Sequence, residues 1–163
     1  VLTPVVDREP RLATARRFLR NAHGARADDL VRLEQTAEAV ADFDRALELD
    51  EGKDREWLRL RRAIALARLG EHAKAVAESD AVTNAPDVTG ELLYNAAFVY
   101  ASACEVAAAD AALREAYGAR AVALLRQAAD KGYRDLATTK RLTSLHGRAD
   151  YQQLLETLED KKE

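Results

Sequence analysis

The sequence contains no methionine and only one cysteine, Cys104, among its 163 residues. A single cysteine cannot form a disulfide within the chain, which favours a reducing, cytoplasmic compartment and a small buried side chain at this position. Methionine is absent even from position 1. We therefore expect the sequence to be a fragment of a longer chain.

Aromatic residues make up only 6% of the chain, and alanine supplies much of the 48% that is hydrophobic. Sheets are lined mainly by β-branched and aromatic side chains, so this composition disfavours a β fold. No apolar run approaches the ~20 residues that a membrane-spanning helix needs, and no basic segment followed by an apolar one indicates a signal peptide. We expect one all-α domain over residues 1–163 that does not enter a membrane.

An excess of charge of one sign is also missing. The chain has 25 basic and 28 acidic residues, which gives a net charge of −3. Proteins that bind nucleic acid or anionic membranes through a general field are basic. We therefore expect neither partner.

The stretch from Arg59 to Pro86 predicts two helices joined by a tight turn. Apolar residues recur three and four positions apart on both sides of Gly70, as they do on one face of a helix. Gly70 provides the turn and Pro86 stops the second helix. Ala63 and Ala75 stand where the two helices must approach closely. This pattern resembles a tetratricopeptide (TPR) repeat, a helix-turn-helix unit of about 34 residues.

Equivalent alanines in the second helices indicate three units of this kind. Ala39 and Ala75 are 36 residues apart, close to a TPR period, whereas Ala75 and Ala121 are 46 residues apart. The excess predicts an insertion at residues 105–115, either an ordered helix or a mobile loop. The predicted units cover residues 11–52, 54–86 and 87–132, and residues 133–163 form a capping segment.

The first unit predicts a helix over residues 11–33, either continuous or nearly divided at Gly24, where glycine costs about 1 kcal/mol. A second helix follows from Thr36 and ends at residues 50–52. Within it, Ala39, Phe43 and Ala46 take the small, aromatic and small positions of a TPR second helix. This string, residues 39–50, is the most specific motif in the chain.

The ends of the chain carry further signals. Residues 1–9 predict an N-terminal segment before the first helix. Thr89 is the predicted N-cap of the third unit, and Gly132 is its predicted C-terminal stop. Short turns are predicted at residues 133–136 and 142–145, and a helix over residues 148–159. That helix would cover the exposed core of the last unit, as the end of a helical-repeat protein requires.

Several motifs together resemble something narrower than TPR proteins in general. They are similar to the TPR region that follows the kinase domain in many planctomycete-type bacterial serine/threonine protein kinases. The motifs lie at residues 20–23, 39–50, 63–77, 93–100, 119–128, 132–135 and 145–151. The resemblance implies a tethered interaction domain.

The chain departs from that family at several points. Position 34 is Glu where the repeat has Gly, and Ser79 stands where a larger residue is usual. The Gly-rich loop, the His-Arg-Asp loop and the Asp-Phe-Gly motif of a kinase catalytic domain are all missing, so catalysis is not implied.

No enzymatic constellation is visible elsewhere in the sequence. His23, His72 and His146 have no second metal ligand three or four positions away. Paired carboxylates fall beside arginines on amphipathic helices, which is typical of solvated ion pairs. We expect no catalytic residue, no metal ion and no cofactor.

A binding groove follows from the geometry of stacked TPR units, because the first helix of each unit lines the concave side. Alignment on Ala27, Ala63 and Ala97 gives the residues that face the groove. They are Asn21, Asp28, Arg32, Arg61, Ile64, Arg68, Tyr94, Asn95 and Phe98. Guanidinium groups pair with carboxylates, and the aromatic rings can hold apolar side chains. Equally, the arginines can be solvated residues paired with nearby acids, and Phe98 can belong to the core.

The sequence therefore predicts an all-α, TPR-like right-handed solenoid of about three helix pairs plus a C-terminal capping helix. The predicted function is a protein-interaction or scaffolding module that binds a protein or an acidic peptide in the concave groove. Two alternatives stay open. The chain is a regulatory segment of a larger bacterial kinase, or it associates with a second copy of itself to form a homo-oligomer.

Overall fold

The computed structural model of the chain describes residues 10–50, 52, 54–133 and 142–160. These residues form helices and turns without any β-strand, which confirms the prediction of an all-α protein for the described chain. In chain order, the helices are α1 (Pro10–Arg32), α2 (Thr36–Leu49), α3 (Arg55–Arg68), α4 (His72–Thr83), α5 (Gly90–Val106), α6 (Ala111–Asp130) and α7 (Ala149–Asp160). A 3₁₀ turn at Thr143–Leu145 lies between α6 and α7. None of the described helices is long and apolar enough to cross a membrane.

The helices pack as consecutive pairs. Helix α1 packs against α2, α3 against α4, and α5 against α6. The pairs are joined because α3 also contacts α2, and α5 contacts both α3 and α4. Alanine dominates these interfaces, as the composition predicts: Ala39, Ala63, Ala75, Ala97 and Ala121 are fully buried. A side chain of this size lets two helices approach closely without a cavity.

The buried side chains form two clusters. The larger one extends from α3 to α7 and includes Cys104, which is a buried free thiol as predicted. The smaller one joins α1, α2 and the start of α3, and has six buried members: Ala27, Ala39, Phe43, Ala46, Leu58 and Ala65. Phe43 is the largest side chain that is fully buried in it. Helix α1 is therefore attached to the rest of the fold through a small apolar contact.

The turn at Gly70 has the predicted form. Gly70 has a φ of 94°, and the Glu71 amide donates to Leu66 O at 2.9 Å. This is the Schellman arrangement, in which a residue of left-handed conformation ends a helix. Gly132 repeats it after α6, with a φ of 86° and a bond of 3.0 Å from the Tyr133 amide to Ala128 O.

Glu34 makes the same turn between α1 and α2 without being glycine. Its φ is 61°, and the Gln35 amide donates to Leu30 O at 2.9 Å. Glu34 is thus the structural counterpart of Gly70, at the position where the repeat has Gly. The hydrogen bonds of the turn hold Glu34 in a conformation that costs an L-residue about 1 kcal/mol.

The extra length of the third unit lies in its helices. Helix α5 continues to Val106, and α6 begins at Ala111, so residues 105–115 contain two helix ends and a short turn between them. The Asp110 side chain caps α6 by accepting from the Leu113 amide at 2.9 Å. Thr89 caps α5 as predicted, since its hydroxyl oxygen accepts from the Leu92 amide at 3.2 Å.

The C-terminal helix α7 lies within one residue of its predicted bounds. Tyr151, Leu154 and Leu158 are buried in the larger cluster, together with Leu142 and Leu145 from the preceding turn. Arg148 ties this region to α6, because its guanidinium donates to both carboxylate oxygens of Glu115 at 2.7 and 2.8 Å. The predicted segment at 1–9 and most of the predicted turn at 133–136 lie outside the described residues.

A buried carboxylate strengthens the attachment of α1. Asp42 of α2 is 1% exposed, and it accepts from the Arg26 guanidinium at 2.5 Å. His23 Nδ1 lies 3.1 Å from the same oxygen. The hydrogen bonds from Arg26 hold the pKa of Asp42 below its usual value, against the opposing effect of burial.

The Glu34 turn gives a prediction for stability. Glu34→Gly removes the strain of a left-handed glutamate from the folded chain, but glycine also makes the unfolded chain more flexible, which offsets part of the gain. We expect a net stabilisation of about 0.5 kcal/mol. The reciprocal variant Gly70→Ala should destabilise by about 1 kcal/mol, since no atom lies within 4 Å of the added carbon and only backbone strain is introduced. Urea unfolding measures both changes. Equal changes in the free energy of unfolding for the two variants would contradict this account of the turn.

Asp42 gives a prediction for pH dependence. Because its pKa is lower in the folded chain than in the unfolded one, its contribution is fully present above about pH 4 and is lost as the pH falls through the lower folded value. Asp42→Asn should destabilise the protein by about 1–3 kcal/mol at pH 7, and by less as the pH is lowered below about 4. Thermal unfolding at a series of pH values from 7 to 3 measures the difference in stability between the Asp42→Asn variant and the unmodified protein. The exposed Asp29→Asn is the control, and a difference independent of pH would contradict the prediction.

Candidate functional site

Helices α1, α3 and α5, the first helices of the three pairs, line a common groove with a volume of about 510 Å³. Seven of the nine residues predicted from the sequence lie in its wall. They are Asp28, Arg32, Arg61, Ile64, Arg68, Asn95 and Phe98. The alignment on small residues thus brings together side chains that are up to 70 positions apart in the sequence. We name this cavity the α1–α3–α5 groove.

Arg61 is a fixed part of the groove wall. Its guanidinium lies 4.0 Å from the ring centre of Trp57 and 5.3 Å from that of Phe43, so it is stacked against aromatic faces. Its Nε donates to Asp28 Oδ1 at 2.8 Å, and its Nη2 donates to Gly24 O at 3.3 Å. Burial lowers the pKa of Arg61 to about 10, so the group keeps its charge at neutral pH. Asp28 largely neutralises that charge.

Arg32 and Arg68 differ from Arg61 because they are exposed at the rim. Arg32 pairs with Asp29 one helical turn away at 2.7 Å, and both side chains are mostly solvated. Arg68 makes a long contact of 3.5 Å from Nη1 to Val31 O. Ion pairs between such exposed groups contribute little to stability. Both guanidinium groups can therefore turn towards an anion at little cost.

The floor of the groove is partly apolar. Phe98 is buried and Ile64 is half-buried, yet both contribute to the lining. Asn95 donates its amide to Glu91 O of its own helix at 2.9 Å, which leaves its side-chain oxygen as an acceptor towards the groove. The floor suits an extended chain with apolar side chains and a backbone amide that can donate.

Two of the predicted residues do not lie in the groove. Asn21 lines a neighbouring cavity of about 230 Å³, where its Oδ1 accepts from Arg20 Nε at 3.1 Å. Tyr94 is buried, with its ring stacked on Tyr133 at a centroid distance of 4.6 Å and edge-on to Phe98 at 5.6 Å. The aromatic cluster draws Tyr94 into the core, so it cannot receive a peptide side chain as predicted.

The groove also contains residues that the sequence analysis missed. Besides Trp57 and Phe43, these are Val31, Ser102, Glu105 and Thr143. One signal was available for Trp57: it precedes Arg61 by four positions, and residues with this spacing share a helix face. Thr143 carried no such signal, because it reaches the groove from the segment before α7. Its hydroxyl donates to Glu105 Oε1 at 2.9 Å.

A second cavity of about 450 Å³ lies beside the first and has the opposite charge. Asp54, Glu56, Trp57, Glu91 and Leu92 line it. The Trp57 ring therefore contributes to both cavities. Asp54 is already paired with Arg20 at 2.8 Å, whereas no ion pair joins Glu56 or Glu91 to another described residue. We name this cavity the acidic pocket.

The three histidines do not come together. His23 lies beside Asp42, and His72 Nδ1 lies 3.0 Å from the Tyr117 hydroxyl in an edge-on ring contact. His146 stacks on Tyr151 near α7. In the part of the chain that the structure describes, no group of three potential ligands is arranged to hold a metal ion.

Comparisons with models of protein families, with curated proteins and with solved structures found no match for this chain.

Proposed function

We propose that the chain is a TPR-type helical-repeat module that binds a peptide with a carboxylate group in the α1–α3–α5 groove. Two features support the repeat assignment. Helices pack as three consecutive pairs, and residues of left-handed conformation end α1 and α3, the first helices of the first two pairs, through the same hydrogen bonds. Within this proposal, the pairs form a right-handed solenoid, and α7 caps its end.

The groove itself carries the functional proposal. It combines an apolar floor with two exposed guanidinium groups, Arg32 and Arg68, on its rim. Arginine pairs with carboxylates through two parallel hydrogen bonds, which gives both affinity and orientation. The proposed ligand is an extended segment whose acidic side chain or C-terminal carboxylate lies between these arginines. Apolar side chains of the ligand contact mainly Ile64, because Phe98 is buried and presents only a small part of its ring to the groove.

The test is charge reversal on the rim with a matched control. Arg61 is a poor target because its loss would leave Asp28 without its partner and remove a stacked side chain. The test variant is therefore Arg32→Glu with Arg68→Glu. The control variant is Lys74→Glu with Arg17→Glu, which has the same net charge. Lys74 matches Arg32 closely, since it is 69% exposed and pairs with Glu71 one turn away at 2.8 Å.

We expect a displayed library of random peptides with free C-termini to enrich acidic ligands on the unmodified protein. The rim variant should bind those ligands at least about tenfold more weakly, because two attractive charges become repulsive. The control variant should bind the same ligands with a dissociation constant within about twofold of that of the unmodified protein, apart from the general effect of its changed net charge. Anisotropy titrations of labelled selected peptides measure these ratios. Equal loss in both variants, or no loss in either, would contradict a ligand site in the groove.

A second function is favoured by a separate surface on α1. Leu12, Phe18 and Leu19 lie within two turns of α1 and are 48%, 65% and 50% exposed. Large apolar side chains grouped in this way are typical of interaction surfaces. The second candidate is therefore association with another copy of the chain through this face, which leaves the α1–α3–α5 groove open.

Association through α1 is tested with Phe18→Ser and Leu19→Ser together. We expect sedimentation equilibrium to show a mass that rises with concentration for the unmodified chain and a monomer for the variant. The circular dichroism spectrum should not change, because both side chains are exposed. Leu69→Ser with Val106→Ser replaces two other exposed apolar residues and should leave association intact. A monomeric unmodified chain at the highest concentration would exclude this candidate.

A further inference from the structure

We propose that the α1–α3–α5 groove and the acidic pocket form one furrow with opposite charges at its two ends. The furrow selects a peptide that carries a basic residue and an acidic residue about five positions apart. This inference rests on the proposed function and specifies its ligand. It accounts for a cavity that the proposed function leaves unused.

The two cavities follow the same pair of helices. On α3, Trp57 is shared by both cavities, and Arg61, Ile64 and Arg68 continue along the groove at three- and four-residue steps. On α5, Glu91 lies in the acidic pocket, whereas Asn95 and Phe98 lie in the groove. A face that recurs at this spacing runs along the length of a helix. The furrow therefore extends from the beginning of α3 and α5 towards their ends.

The charges at the two ends have a physical origin in the helices. Glu56 and Glu91 lie in the first turns of α3 and α5, and Arg68 and Arg32 lie in the last turns of α3 and α1. Acidic residues stabilise the start of a helix, and basic residues stabilise its end. Because first helices of successive units run in the same direction, the acidic first turns of α3 and α5 meet on one side and the basic last turns of α1 and α3 on the other.

The ends differ in how well they are neutralised. Glu56 and Glu91 have no ion-pair partner among the described residues, so the acidic end keeps two charges. At the basic end, Asp29 pairs with Arg32, and Glu105 of α5, whose carboxylate accepts from Thr143, further offsets the two arginines. The acidic end is therefore the stronger of the two for a ligand of opposite charge. A lysine or arginine of the ligand would lie there against the exposed part of Trp57.

The length of the furrow sets the spacing of charges in the ligand. Trp57 and Arg68 are 11 positions apart on α3, which corresponds to about 16 Å at a rise of ~1.5 Å per residue. An extended peptide covers about 3.3 Å per residue. The two charged residues of the ligand should therefore lie about five positions apart.

The test uses pools of blocked hexapeptides with four random central positions drawn from Ala, Leu, Ser and Val. Three pools end in Asp and begin with Lys, Ala or Asp, and a fourth has Ala at both ends. We name them by their first and last residues: Lys–Asp, Ala–Asp, Asp–Asp and Ala–Ala. Trp57 is the only tryptophan of the chain, and none of the pools contains an aromatic residue. Its fluorescence therefore reports occupation of either cavity of the furrow and also of the neighbouring cavity of about 230 Å³, which Trp57 lines as well. Each titration gives an average dissociation constant, and the charge variants assign it to the furrow.

We expect the Lys–Asp pool to bind about three- to tenfold more tightly than the Ala–Asp pool, and the Asp–Asp pool to bind most weakly of these three. Glu56→Gln with Glu91→Gln should abolish the advantage of lysine. The control is Glu38→Gln with Glu48→Gln. Glu38 also lies in a first helical turn, but on α2 and away from both cavities. A lysine advantage that is absent, or that survives in the Glu56/Glu91 variant, overturns the inference.

The same titrations separate this inference from the proposed function. If Ala–Asp binds more tightly than Ala–Ala and lysine adds nothing, the groove binds carboxylates but the acidic pocket has no role. If Ala–Asp binds no better than Ala–Ala, or if no pool changes the fluorescence of Trp57, the groove does not bind an acidic side chain and the inference fails; the selection of peptides with free C-termini then decides whether the proposed function holds for a C-terminal carboxylate.

Discussion

The close approach of neighbouring helices is the constraint on which the rest of the structure depends. Alanines at the interfaces of α2, α3 and α5, such as Ala39, Ala63 and Ala97, leave no room for larger side chains. Bulky residues are therefore confined to a few places, among them Phe43 between α1 and α3 and the ring cluster of Tyr94, Phe98 and Tyr133. The groove exists because α3 packs directly on α5 while α1 is held beside α3 mainly by its packing on α2, and longer side chains line the space between them.

Within the groove, aromatic stacking and ion pairing act on the same residue. Trp57 and Phe43 contact the guanidinium of Arg61 while Asp28 satisfies its charge. The arrangement removes Arg61 from the set of cations available to a ligand, and it also fixes the distance between α1 and α3. The remaining arginines on the rim are solvated, so one wall of the groove is rigid and its opening is adaptable. A rigid wall reduces the ordering cost of binding.

Features governed by local rules could be predicted from the sequence. The turn at Gly70, the cap at Thr89 and the stop at Gly132 each depend on the conformational preference of one residue and its near neighbours. Features that depend on distant side chains could not. Tyr94 has the spacing of a groove residue, but its ring is drawn into the core by Tyr133, which lies 39 positions later. The sequence leaves open whether residues 105–115 are helical or a mobile loop, because an alanine-rich stretch is compatible with both. The groove was predicted in outline, since helical spacing decides which side of α3 and α5 faces outwards.

The weak apolar attachment of α1 has an energetic consequence for recognition. Six buried residues form the cluster that joins α1 to α2 and α3, and α1 itself contributes one of them, Ala27, with Leu30 and Val31 partly buried beside it. Stability is not uniform across a protein, and units with few apolar contacts open at a lower free energy than the whole. One wall of the groove is complete only while α1 is in place, since Asp28 and Arg32 belong to it. The apparent affinity for a ligand is then the intrinsic affinity scaled by the population of molecules in which α1 is docked. Ligand binding and the local folding of α1 are in this sense a single coupled equilibrium.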